Sequence, residues 1–596
     1  GMSLLNNVLP LWMNKVDPME IMNFNDRIED FKIEFEKKGS KMFTEIIEEY
    51  FLKNNVFVYS NQGVENYNKD LEIEEAKKLE KLVTKLSDED KDMIFERNLH
   101  FDKENKNEGD IEKLPSLEIE DINRNGFVFN LEKSLSDKAE IYKRITSTNG
   151  ISYIKTQILD LEQHIDKKLL SYLSLYVMSL TTLGSKKQEY HEIEDEINLD
   201  LGGIQFDIDT RSVYDNISKS GLVFELQGWG LNTNSMKIFE FWKKVLQESE
   251  FSSSKTNKIK ALIKSLASNT SSFSESGHTV ARSYAASKIN KSYALDEYLS
   301  NIENTKFINE LNEKISKVEL TPEAENDFFE KEVFAPLKEI NEIILSLIKN
   351  GDSKIIVHTD NNKHASNLAA GFVEKFVNTI SCSSSFNNNR SLDMKALVEG
   401  NKNTSKTIIS FPFQVSHTSR LVECCPYNNK DSAALQVLAN LLTTKVLHPE
   451  VRERNGAYGG GATYSSITGL FNFYSYRDPN PLKTLKFVEE LCSNETLGLE
   501  ITEDDLKGAK LSIFQGIDAP VSPMNEGMSE FEYGLDNTAK EQRRTALLSC
   551  TVDDVKYVFK KYLHGQKNQF HECIVGNKEN IEAPDFEIIQ PYSKHI

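Results

Sequence analysis

Apolar residues recur every three to four positions through residues 19–54. The segments "EIMNFNDRIEDFKIEFEKK" and, after Gly39-Ser40, "KMFTEIIEEYFLKN" are therefore expected to be helices. The apolar, partly β-branched run in "NNVFVYSNQ" predicts a short strand. Ala76, Leu79, Leu82, Val83 and Leu86 form a stripe along a charged helix. Ser87, with Asp90 three residues on, has the pattern of a capping box that starts a second helix. Together they make a helical hairpin. Residues 101–114 are a polar linker that ends at Pro115.

Beyond Pro115 two long blocks share one pattern. In the first, "YLSLYVMSLTTLG" is an apolar helix, followed by "LDLGGIQFDI" and "SGLVFELQGWGLNTNSMKIFEFWKKVLQE". In the second, "AALQVLANLLTTKVL" precedes "NGAYGGGATYS" and "TGLFNFYSYRDPNPLKTLKFVEELCS". Each has a glycine-rich strand, a hairpin expected at Gly221 or Gly469, an aromatic strand and an amphipathic helix, and each closes on a long helix and a strand. This is an internal duplication of pattern, with its joint placed at 381–391. Strands with long helices on one face argue an α+β layered fold.

The formal charge of −21 argues against nucleic acid and against an anionic membrane as partners. It would suit basic peptides. No run of about 18 apolar residues predicts a membrane-spanning helix. The N-terminal residues lack the basic and apolar regions of a signal peptide, and Gly1 before Met2 reads as a tag scar. Six cysteines, none in a C-x-x-C, fit reduced thiols in an intracellular compartment, an organelle among the candidates.

Few residue patterns carry chemistry. "HEIED" offers His191, Glu194 and Asp195 as metal ligands, but it is better explained as a solvated helix face beside Glu189, Glu192 and Glu196. There is no G-x-S-x-G, and no phosphate-binding glycine loop. What stands out is "EVRERNGAYGGGATYSS". Arg452 is expected at a helix end capped by Asn455-Gly456, and Tyr458 at the start of the next strand. Pro481 follows Asn480 as the first residue of a helix. A phenol is protonated at neutral pH, so it can donate to a developing oxyanion, and an arginine can stabilise the same charge. A helix-capping arginine with a half-buried tyrosine would look the same.

"VRERNGAYGG" with "TGLFNFYSYRDPNPLKTL" resembles the C-terminal half of pitrilysin/insulinase-type zinc metallopeptidases, in the presequence protease and falcilysin branch. Asn455 departs from that pattern, where glycine is usual. "GSKMFTEIIEEYFLKNN", "LEIEEAKKLEKLVTKLSDEDKDMI", "GISYIKTQILDL" and "LLSYLSLYVMSLTTLGSKKQEYHEIEDEINLDLGGIQ" extend the resemblance over nearly the whole chain. It implies two homologous α/β sandwich domains, each an antiparallel sheet covered by helices, after a helical hairpin. Residues 1–65 would be the end of domain two, 66–114 the hairpin and linker, 115–385 a degenerate domain three and 386–596 domain four. The family's H-x-x-E-H zinc motif lies in domain one, outside this chain; counting back from Gly184, its positions become Leu175, Met178 and Ser179. The resemblance thus implies a half that is inactive alone, with zinc in the missing N-terminal catalytic half and none bound here. Its roles would be to wall a chamber for unstructured peptides, with Arg452 and Tyr458 stabilising the transition state and Gly459 and Gly460 lying against substrate. The competing expectation is a non-catalytic structural or peptide-binding subunit.

Overall fold

The computed structural model describes residues 2–53, 56–106, 116–268, 271–318, 322–382, 390–399, 405–498, 500–565 and 569–591. The chain divides into two compact units, Gly1–Pro115 and Ser116–Ile596.

The first unit is helical. The two helices expected of the hairpin are present as Tyr67–Val83 and Asp88–Lys106. The capping box forms as expected: Asp90 N donates to Ser87 Oγ (3.1 Å), and Ser87 N donates to Asp90 Oδ2 (3.0 Å). Two expectations fail. Residues 56–60 form no strand, and Phe57 is 98% exposed, because no neighbouring segment among the described residues supplies the ladder that a strand needs. Residues 101–106 belong to the second helix, since nothing before Gly109 breaks it; 107–115 lie outside the described residues.

The second unit holds two six-stranded sheets. The first contains β1 (Glu132–Leu135), β2 (Glu140–Ile145), β3 (Ile151–Ile158), β4 (Gly203–Val213), β5 (Asn216–Leu231) and β6 (Ser353–Thr359), in the order β1-β2-β6-β3-β5-β4. The second contains β7 (Lys406–Ser410), β8 (Ser416–Glu423), β9 (Gly459–Ser465), β10 (Leu470–Asp478), β11 (His571–Gly576) and β12 (Glu587–Ile589), in the order β12-β7-β11-β8-β10-β9. Five strands correspond one to one: β2, β3, β4, β5, β6 with β7, β8, β9, β10, β11. The sheets are mainly antiparallel, but β2 pairs with β6, and β7 with both β11 and β12, in parallel. β6 and β11 each arrive after a long helical crossover from their partners β2 and β7, as parallel pairing requires. The fold is therefore α+β, two sandwiches of one topology. The sixth strand differs, β1 coming before the first set and β12 after the second.

Each strand puts alternate residues on opposite faces. On one face of the first sheet Ile154, Phe224, Leu226 and Val357 join the core with helices Lys167–Leu180, Lys237–Glu248 and Ala335–Asn350. On one face of the second, Phe471 and Phe473 pack with Ser432–Leu442. The other faces are covered by exchange. Helix Ser271–Ser287, from the chain between β5 and β6, lays Val280, Ala281 and Tyr284 against Leu421, Leu470 and Val575 of the second sheet. Residues 526–532, from the chain between β10 and β11, cover the first. There Arg144 Nε meets Glu526 at 2.7 Å, Lys155 Nζ meets Glu532 at 2.7 Å, and Lys354 donates to the Phe531 carbonyl. Burial pushes the Lys354 ammonium down to about 7.

The Gly469 turn forms as expected, with φ +71° and Leu470 opposite Ser465. The Gly221 turn does not. β5 begins at Asn216, Gly221 lies within it opposite Arg211, and the chain reverses at 214–215. Glycine serves there because an added Cβ would sit 2.8 Å from a carboxylate oxygen of Glu162, the group that accepts the Leu222 N–H. Most of the joint expected at 381–391, residues 383–389, lies outside the described residues. All six cysteines are free thiols.

Candidate functional site

Arg452 lies in a wide, π-helical segment, Thr443–Arg454, that continues helix Ser432–Leu442. Pro449 within it has no N–H to give, which favours the altered hydrogen-bond register. The helix stops as expected. Gly456 takes φ +82°, and the N–H groups of Gly456 and Ala457 reach back to the carbonyls of Arg452 and Val451 at 3.2 and 3.1 Å. This reversal delivers Tyr458 to the start of β9, one edge of the second sheet.

Asn455 is held by a buried network. Its Nδ2 donates to Thr484 Oγ1 at 2.7 Å, and Thr484 donates to Asp478 Oδ2 at 2.6 Å. Asn480 Nδ2 returns a bond to the Asn455 carbonyl at 3.0 Å. Asn455 has φ −95°, so no glycine is required at this position. Asn480 precedes helix Pro481–Ser493 as expected, but its side chain bonds Asn455 instead of capping that helix.

Tyr458 is 68% exposed. Its ring stands edge-on to Tyr476, centroids 5.8 Å apart, and its N–H donates to the Arg477 carbonyl at 3.2 Å. The Arg477 guanidinium lies 5.9 Å from the Tyr458 ring and 5.3 Å from the Tyr476 ring. Arg477 has φ +49°, an uncommon conformation for a side-chain-bearing residue. Two histidine rings lie beneath Tyr476: His278, from helix Ser271–Ser287, at 5.0 Å, and His417, from β8, at 5.2 Å. His417 Nδ1 accepts the Arg477 N–H at 3.4 Å. Burial, with His278 and Arg477 nearby, pushes His417 down to about 4; burial and Arg282 lower His278. Tyr476, Arg477, His278 and His417 escape sequence reasoning. "SYRDPN" marks a strand end, but nothing in it signals the β-bulge around Arg477 or a helix far back in the chain.

Arg452 is exposed. Arg454 pairs with Glu450, whereas neither the Arg452 guanidinium nor the Tyr458 hydroxyl has an ion-pair or hydrogen-bond partner among the described residues. The two glycines differ. Gly459 faces open space. Gly460 is buried, and an added Cβ would lie 2.7 Å from Val451 and 3.2 Å from the Tyr474 carbonyl. Its small size lets the π-helix lie close against β9.

Leu175 and Ser179 are fully buried in helix Lys167–Leu180, and Ser179 Oγ donates to the Tyr176 carbonyl at 2.6 Å. With Met178 they offer hydrocarbon, a thioether and an engaged hydroxyl, which do not fit a zinc site. His191, Glu194 and Asp195 lie exposed on helix Tyr190–Asp200. Among the described residues no group of three or more His, Cys, Asp or Glu side chains is placed to hold a metal ion.

Residues 62–311 match the family model of the region associated with M16 peptidases of subfamily C, and residues 407–578 match the "PreP C-terminal domain" model. The presequence protease, mitochondrial, of Saccharomyces cerevisiae is 37% identical over 589 residues, 99% of this chain and 57% of that protein. The protein of the same name from Kluyveromyces lactis is 36% identical over 600 residues, again 99% and 57%. A solved structure of a conserved protein from Enterococcus faecalis V583 superposes with a TM-score of 0.50 at 12% identity, covering 76% of this chain and all of that one; it bears on the fold alone. The chain belongs to the pitrilysin/insulinase-type (M16) peptidase family, on its presequence protease branch. It spans little more than half the length of these yeast relatives.

Proposed function

We propose that this chain is the C-terminal, non-zinc half of a peptide-degrading metalloendopeptidase, inactive until joined to an N-terminal half that carries the metal. In this reading the second sheet presents Arg452 and Tyr458 to an unstructured peptide. The phenol donates a hydrogen bond to the scissile carbonyl oxygen as negative charge develops, and the guanidinium stabilises the same charge. Gly459 leaves room for the peptide backbone. The observation that carries this reading is the unpartnered Tyr458 hydroxyl, exposed on a ring that Tyr476 and Arg477 hold in place. A purely structural tyrosine would be expected to bury its ring or engage its hydroxyl. The names of the yeast relatives support an organellar compartment.

The test is to combine the chain with a matching N-terminal half and zinc and to follow cleavage of an unstructured peptide. Tyr458→Phe is expected to lower kcat by about 10²–10³-fold, the effect of losing one oxyanion donor. Its melting temperature should stay unchanged, since the hydroxyl has no hydrogen-bond partner among the described residues. Equal turnover by wild type and Tyr458→Phe would favour a non-catalytic structural or peptide-binding subunit.

A further inference from the structure

A cavity of about 410 Å³ lies apart from Arg452 and Tyr458. It opens to solvent and is bounded by Gly126, Phe127 and Phe129, helix Asn537–Ser549 and the chain from Ile517. Its wall carries three cations, Lys540, Arg543 and Arg544, against two anions, Asp518 and Glu541. The wall is therefore net positive in a chain of charge −21.

The anions are already engaged. Asp518 takes both Nη groups of Arg544, at 2.6 and 2.8 Å. Glu541 accepts the Gly126 N–H at 2.7 Å. Arg543 is 8% exposed, yet its hydrogen-bond partners among the described residues are neutral: Ser432 Oγ at 2.5 Å, the Ser432 carbonyl at 3.5 Å and Gln436 Oε1 at 2.6 Å. Lys540 has no ion pair among the described residues. The nearby carboxylates are held elsewhere, Glu530 by Lys133 at 2.6 Å and Asp536 by the Ala539 N–H at 2.8 Å. Arg543 is thus a buried cation whose contacts, the Tyr427 ring at 4.6 Å included, carry no charge, and Lys540 beside it is half-buried; a buried cation without a carboxylate is costly, and an anion entering the cavity would supply one. Phe127, Phe129, Val521 and Leu535 line the same space, so the anion should carry an apolar body.

We propose that this cavity binds the C-terminal residue of a peptide. The free α-carboxylate would pair with Lys540 and Arg543, and an apolar last side chain would lie among Phe127, Phe129 and Val521. The site would hold a peptide end at a distance from the chemistry proposed for Tyr458, and its occupancy does not depend on that chemistry.

Titration calorimetry on the full chain tests this with N-acetyl-Leu-Phe, its C-terminal amide and decanoate. The free acid should bind saturably with one site per chain, and amidation should weaken it at least tenfold. Lys540→Met should weaken it about tenfold, as loss of a charge-assisted bond does. Phe127→Ala should weaken it too without changing the melting temperature, since Phe127 is 65% exposed. Equal binding of acid and amide, no saturable binding of the acid, or no effect of Lys540→Met overturns the site. Decanoate binding more tightly than the peptide overturns the assignment to a peptide terminus.

Discussion

The two sheets have one topology and opposite finishes at the same corner. In the first, β4 starts at Gly203 opposite Trp229, and the indole lies over Gly202 and Gly203 so closely that an added Cβ would fall 2.5 and 2.7 Å from it. In the second, β9 starts at Gly459 opposite Tyr476. There the ring stack continues outward through Tyr476 to Tyr458, and the residue after Tyr476 is an arginine in a left-handed conformation. One corner is closed by an aromatic side chain and the other presents one. In the first case both glycines make room for Trp229; in the second Gly460 makes room for Val451 while Gly459 faces open space. Shared topology therefore does not carry a shared surface.

Acid should separate the corners most strongly. His417 titrates near 4 in the fold and near 6.5 when unfolded, so between those values the unfolded chain binds the extra proton. Stability attached to His417 is full above about pH 6.5 and falls as pH drops toward 4, by up to about 3 kcal/mol. Melting temperature measured against pH should show this slope, and His417→Gln should flatten it. An unchanged slope in that variant would mean that the second corner does not rest on the histidine pair.

Adding one methyl group gives the next effect. Gly202→Ala and Gly460→Ala should each cost about 2 kcal/mol in urea unfolding, because Trp229 or Val451 must move. Asn455→Gly, which restores the residue usual in the family, should destabilise by about 1 kcal/mol through its lost bonds to Thr484 and the Asn480 carbonyl. Gly459→Ala should change stability by no more than about 0.5 kcal/mol, since its Cβ meets nothing. Any loss of cleavage by the assembled enzyme carrying Gly459→Ala would then report substrate approach. A Gly459→Ala cost equal to that of Gly202→Ala would erase the distinction between the corners.

Much of this was legible in the chain. The duplication, the Ser87 capping box, the Gly469 turn and the Gly456 helix stop are local patterns with local causes. The failures share one physical origin. Gly221 looks like a turn residue, but Glu162, far earlier in the chain, sets its environment. "NNVFVYSNQ" has strand composition but no partner strand among the described residues. At the candidate site Arg452 and Tyr458 could be singled out by chemistry. The supports beneath Tyr458 come from β8, β10 and a helix crossing from the first block, and no spacing rule reaches that far.

That crossing has a practical consequence. Each sheet borrows its second cover from the other's stretch of sequence, so neither stretch holds a complete protein. A fragment ending before β7 would retain Lys155 and Lys354 but lose Glu532 and the Phe531 carbonyl that receive them. A fragment beginning at β7 would bare Leu421, Leu470 and Val575. Producing either alone is expected to give aggregates, whereas co-expressing the two pieces should yield a soluble clasp that purifies together.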